Sequence, residues 1–71
     1  MNTIGKKHES GAYLITTPKG RELWLMNTNY MWCVLMPPYV LHDWHTFHAA
    51  RRGAKTFDFD ELIEDLAKAN T

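Results

Sequence analysis

His42, His45 and His48 recur at every third position, with Asp43 beside the first. Neutral imidazole is a common metal ligand and the usual acid–base group near neutral pH, so this triplet is the first candidate for chemistry. On a helix the three rings would share an arc of about 120°. A structural zinc site, however, wants four ligands in a tight tetrahedron, and three histidines from one helix do not converge on that geometry. The only cysteine, Cys33, lies inside an apolar run, where it packs as a small hydrophobe. Acid–base catalysis by the same histidines, oriented by Asp43 or Glu22, needs a cleft that so short a chain has little volume to build. The expectation is therefore no enzyme, no cofactor and no resident metal. A histidine-cluster metal-binding protein is the alternative this triplet supports.

The second candidate is apolar. Eleven of the fourteen residues from Leu23 to Met36 are hydrophobic. Leu23–Met26 and Tyr30–Met36 read as strands with apolar side chains on both faces, because neighbours along a strand point to opposite sides. A small domain can cover one sheet face with helices but hardly two, so the second face must meet something else. Trp24 and Met26 are expected on that outer face. The register of the third strand is open, since a one-residue slip would exchange Tyr30, Trp32, Val34 and Met36 with Met31, Cys33 and Leu35. Grouping the aromatics with Trp24 turns Tyr30 and Trp32 outward. Tryptophan and methionine are enriched at interface centres, which makes Trp24, Met26, Tyr30 and Trp32 candidate partner-binding residues.

The same aromatics could stack bases, as sheet aromatics do in RNA-binding folds. Such faces are normally framed by lysine and arginine, because phosphate neutralisation supplies much of the affinity. Here the chain has eight basic and eight acidic residues and no net charge. A nucleic-acid-binding accessory protein is thus the second alternative, and nucleic acid is disfavoured as a partner. Asp58, Asp60, Glu61, Glu64 and Asp65 crowd the C-terminal end. They read as a capped helix with a solvated face, and Asp60 and Glu64 are the candidates on it for docking a basic surface.

These residues need elements to hold them. Met1–Ser10 is polar and unpatterned and is expected to be a flexible N-terminal arm, leaving residues 11–71 as a single small domain. Ala12–Thr17 is β-rich, Pro18-Lys19-Gly20 carries turn chemistry, and Asn27-Thr28-Asn29 is a second polar turn. Pro37-Pro38 ends the sheet and suits the first turn of a helix, so Tyr39–Arg52 reads as helical and Gly53 as its stop. Val40, Trp44 and Phe47 would then form its buried stripe. Asp58 with Glu61 three residues later marks the start of a second helix. Phe59, Leu62, Ile63 and Leu66 give it one apolar face, out to about Ala69. The expected fold is α+β: a three-stranded antiparallel meander followed by two helices packed on one face of the sheet.

A chain of 71 residues buries a modest core, and one cysteine excludes an internal disulfide. The N-terminal residues lack the apolar centre of a signal peptide, and Asn27-Thr28-Asn29 and Pro37-Pro38 interrupt the one window long enough to span a membrane. A cytoplasmic protein without membrane contact is expected. The reading that fits is a small non-catalytic protein-binding module, an inhibitor or regulator that occludes a surface of a larger protein. A phage-encoded inhibitor of the anti-CRISPR type is one class of that size. Self-association as a homodimer through the second sheet face is the other use such a face allows.

Overall fold

The computed structural model describes residues 1–69. Its elements run β1 (Thr3–Lys7), β2 (Tyr13–Thr16), β3 (Glu22–Thr28), β4 (Met31–Met36), β5 (Tyr39–Trp44), α1 (Phe47–Thr56) and α2 (Phe59–Ala69). The strands form one antiparallel sheet in chain order, and the helices lie together on one of its faces. The class is α+β, as expected, but the sheet has five strands, not three. Asn70 and Thr71, the last residues of the expected domain, lie outside the described residues.

Both extra strands have a physical reason. The segment read as an arm supplies β1, pairing Ile4 with Ile15 and Thr3 with Thr16. An edge strand satisfies its ladder on one side only and needs a single inward apolar residue, which Ile4 provides; lysines along the open edge discourage further pairing. Such a strand leaves almost no hydrophobic pattern. At the other edge, Pro37-Pro38 turns the chain instead of opening a helix, and Tyr39–Trp44 returns beside β4. The helical spacing of Val40, Trp44 and Phe47 is a coincidence of one strand followed by one helix. Between Val34–His42 and Leu35–Val40 the register shifts, and the extra residue, Leu41, joins the core.

The helix-facing side of the sheet carries Ile15, Leu23, Leu25 and Val34, all fully buried. Ala50 and Ala54 bring α1 close to it, and Phe59 and Ile63 do the same for α2. Thr46 caps α1, its Oγ1 accepting from the Ala49 N–H at 3.1 Å. Gly53 does not stop this helix; it lies within it, and the Trp44 indole packs where its side chain would be, 2.6 Å from an added Cβ. The true end is fastened by Asn2, whose side-chain amide donates to the carbonyls of Ala54 and Phe57 at 2.8 and 2.7 Å. The Asn2 N–H adds a bond to the Lys55 carbonyl at 2.9 Å. These are the carbonyls a helix C-terminus leaves without partners. Asp58 caps α2 as its sequence position indicates, accepting from the Glu61 N–H at 3.0 Å.

Candidate protein-binding face

The strand registers align the outward side chains into rows. Leu14 pairs with Trp24, Trp24 with Leu35, and Leu35 with Val40. This row crosses four strands, or about 15 Å at a strand spacing near 4.8 Å. A second row runs Met26–Cys33–Asp43 and a third pairs Thr28 with Met31. At the opposite end, Thr3, Thr16 and Glu22 make a polar row. The outer face is therefore an apolar centre with a polar border, which is the usual anatomy of an interface.

No helix covers these rows, because both pack on the other side. Trp24 and Leu35 are half-buried by their neighbours in the sheet, while Val40 is 58% exposed. The His8 ring stands edge-on against Trp24, with centroids 4.9 Å apart and planes at 85°. Beside it, Gly5 and Leu14 floor an open hollow of about 660 Å³ rimmed by Lys6, Lys7, His8 and Glu9. Cys33 is buried and its Sγ lies 3.1 Å from the Thr28 hydroxyl.

The six residues singled out from the sequence fall in four places. Trp24 and Met26 are on this face. Tyr30 sits at the tip of the β3–β4 turn, 95% exposed, and with Asn29 it holds the positive φ that closes the hairpin. Trp32 points the other way: its ring lies 4.7 Å from Phe47 and 6.4 Å from Tyr13, against the core. The register is thus the one that turns Met31, Cys33 and Leu35 outward, the reverse of the expected grouping. The cause is the three-residue offset between Trp24 and Asn27, the partner of Trp32, which puts the two tryptophans on opposite faces.

Asp60 and Glu64 are turned inward, to the β2–β3 turn. Asp60 accepts from the Thr17 hydroxyl and from Arg21 Nη1, both at 2.7 Å, and from the Lys19 N–H at 3.2 Å. Glu64 pairs with Lys19 Nζ at 2.7 Å and with Arg21 at 3.4 Å. Burial on its own would raise the Asp60 carboxyl, but the hydrogen bonds from Thr17, Arg21 and the Lys19 backbone hold it below its ordinary range. Glu64 is lowered as well, chiefly by its hydrogen bond with Lys19. These two carboxylates tie α2 to the turn.

The histidines are dispersed. His42 stacks flat on Trp44, with centroids 4.3 Å apart, and meets Phe57 edge-on. His45 is in the connection after β5 and His48 is on α1. Among the described residues no three histidine, cysteine or carboxylate side chains are grouped so as to hold a metal. Nor is any helix long and apolar enough to cross a membrane.

No family model, curated protein or solved structure matches this chain.

The sequence reading missed Leu14, Leu35 and Val40 as members of the face. Leu14 lies within the recognised first strand, and alternation from Ile15 already turns it outward. Val40 had no such signal, because its segment reads as helix.

Proposed function

We propose that this protein is a small non-catalytic protein-binding module that occludes a surface of a larger protein through the outer face of its sheet. One observation carries the reading: the Leu14–Trp24–Leu35–Val40 row is apolar across four strands and has no element of the described chain over it. Trp24 is the anchor, a large rigid side chain at the centre of the patch, with Met26 and Met31 as adaptable contacts. The partner surface is apolar at its middle. Its rim is polar, with a basic group to meet Asp43 on the β5 side. A cytoplasmic inhibitor or regulator of the phage-encoded anti-CRISPR type is a class compatible with this size.

The test is capture of a stoichiometric protein partner by the immobilised wild type, side by side with Trp24→Ala and Met26→Asp variants shown to be folded by circular dichroism. Loss of the partner by both variants supports the reading. Undiminished capture by the folded variants places function elsewhere on the molecule. A homodimer that these substitutions dissociate would assign the face to a second copy.

A further inference from the structure

Two groups of cations among the described residues are used differently. Lys19 and Arg21 are consumed by Asp60 and Glu64. Arg51, Arg52 and Lys55 are exposed, and none of them makes an ion pair among the described residues. With His48 they occupy the i, i+3, i+4 and i+7 positions of one stripe on α1. At about 100° per residue that stripe spans an arc of about 100°, centred about 130° around the helix from the buried Ala50 and Ala54. It extends about 10 Å along the helix axis at 1.5 Å per residue. Arg52 Nη2 donates to His48 Nε2 at 3.0 Å, which holds the guanidinium within the stripe.

The neighbouring strand lengthens this positive flank. β1 runs antiparallel to α1: the Asn2 N–H reaches the Lys55 carbonyl at one end, and at the other Lys7 lies opposite Tyr13, whose ring packs on Phe47. Lys6 and Lys7 thus stand toward the start of the helix, and neither makes an ion pair among the described residues. Met1, His48, Arg51, Arg52, Lys55 and Thr56 line a shallow hollow of about 280 Å³ over the stripe.

We infer that the α1 stripe of Arg51, Arg52 and Lys55 is a binding surface for the phosphate backbone of nucleic acid, separate from the sheet face. Guanidinium groups grip phosphate oxygens in pairs, and phosphate contact needs charge density and no aromatic anchor. No tryptophan, tyrosine or phenylalanine lines the hollow. The zero net charge of the chain does not oppose this, because the acidic groups gather in a hollow of their own lined by Asp58, Asp60, Glu61, Glu64 and Asp65, which meets the stripe's hollow only at Met1 and Thr56. What a phosphate meets is the local stripe. Binding of this kind is positional and sequence-independent, and it would deliver the sheet face to a partner that works on nucleic acid.

The experiment is fluorescence anisotropy of a short labelled DNA duplex titrated with the full chain, at salt from about 50 to 200 mM. Three phosphate contacts predict that log affinity falls with log salt at a slope of about −2.7, about −0.9 per contact. Arg51→Gln, Arg52→Gln and Lys55→Gln combined should lower the low-salt affinity at least tenfold and flatten the slope. Trp24→Ala should change neither. The single Arg51→Glu variant gives the same direction if the triple variant folds poorly. Absence of binding at the lowest salt, or equal binding by the stripe variants, overturns the inference. So does polyglutamate or an anionic lipid vesicle binding as tightly as the duplex, which would assign the stripe to an acidic protein or a membrane surface. A low-salt dimer that the stripe variants abolish would assign it to the acidic α2 of a second copy.

Discussion

Trp24 and Trp32 stand on neighbouring strands and project to opposite faces of the sheet. Trp24 pairs with Leu35 on the open side, and the Trp32 ring rests 4.7 Å from Phe47 at the start of α1. Two residues of one type, eight apart in sequence, therefore have different work. Trp32→Ala should cost about 3 kcal/mol of stability, as truncation of a core aromatic does. Trp24→Ala should change stability by no more than about 1 kcal/mol and act on binding instead. Chemical denaturation of the two variants separates these outcomes. An equal loss in both would mean that Trp24 also belongs to the core.

Gly53 and Trp44 give a prediction of unexpected sign. Alanine in place of glycine within a helix ordinarily stabilises by about 1 kcal/mol. At position 53 the new methyl would lie 2.6 Å from the Trp44 indole, a clash that needs the ring or the helix to move. Overpacking of this kind costs roughly 1–3 kcal/mol, so Gly53→Ala should destabilise. In a Trp44→Ala background the same change should stabilise. Thermal midpoints of the four proteins in that cycle decide the matter; a gain from Gly53→Ala alone contradicts the packing.

Much of this was legible in the residues, and the rest was not for identifiable reasons. The Asp58 cap and the Phe59–Ile63 apolar face place α2 because capping and amphipathicity are local signals. The strands β2, β3 and β4 were visible in their turns and β-rich composition. The edge strands were not. Thr3–Lys7 carries one inward apolar residue and so has no periodicity, while Tyr39–Trp44 imitates a helical stripe until its pairing with β4 is known. The outward face of β4 depends on register, which two apolar faces leave undetermined. The inward turn of Asp60 and Glu64 depends on where the β2–β3 turn meets α2, a contact 39 to 45 residues long in sequence.

The Asp60 and Glu64 clamp sets an acid limit. Both carboxyls titrate lower in the folded protein than in the unfolded chain. Their contribution to stability is therefore complete above the ordinary carboxylate range and is lost as pH falls through the folded-state values. The thermal midpoint should decline below about pH 4, and Asp60→Asn should both lower the midpoint at neutral pH and flatten that decline. A pH profile for Asp60→Asn parallel to the wild type would mean that other carboxylates carry the effect.

The ends of the helices offer a fourth check. Asn2→Ala removes two side-chain hydrogen bonds to helix-end carbonyls and should cost about 1–3 kcal/mol. Asp58→Ala removes the α2 cap and should cost about 1 kcal/mol. Urea denaturation reads both. If Asn2→Ala proves neutral, the N-terminal residues do not fasten α1.

The sheet face is the centre of the functional reading, and its availability can be measured directly by light scattering behind a sizing column across a wide concentration range. A face open to another protein predicts a particle of 8.3 kDa throughout, unchanged by Trp24→Asp. A stable dimer that Trp24→Asp dissociates would contradict it, because the Leu14–Trp24–Leu35–Val40 row would already be filled by a second copy of the chain.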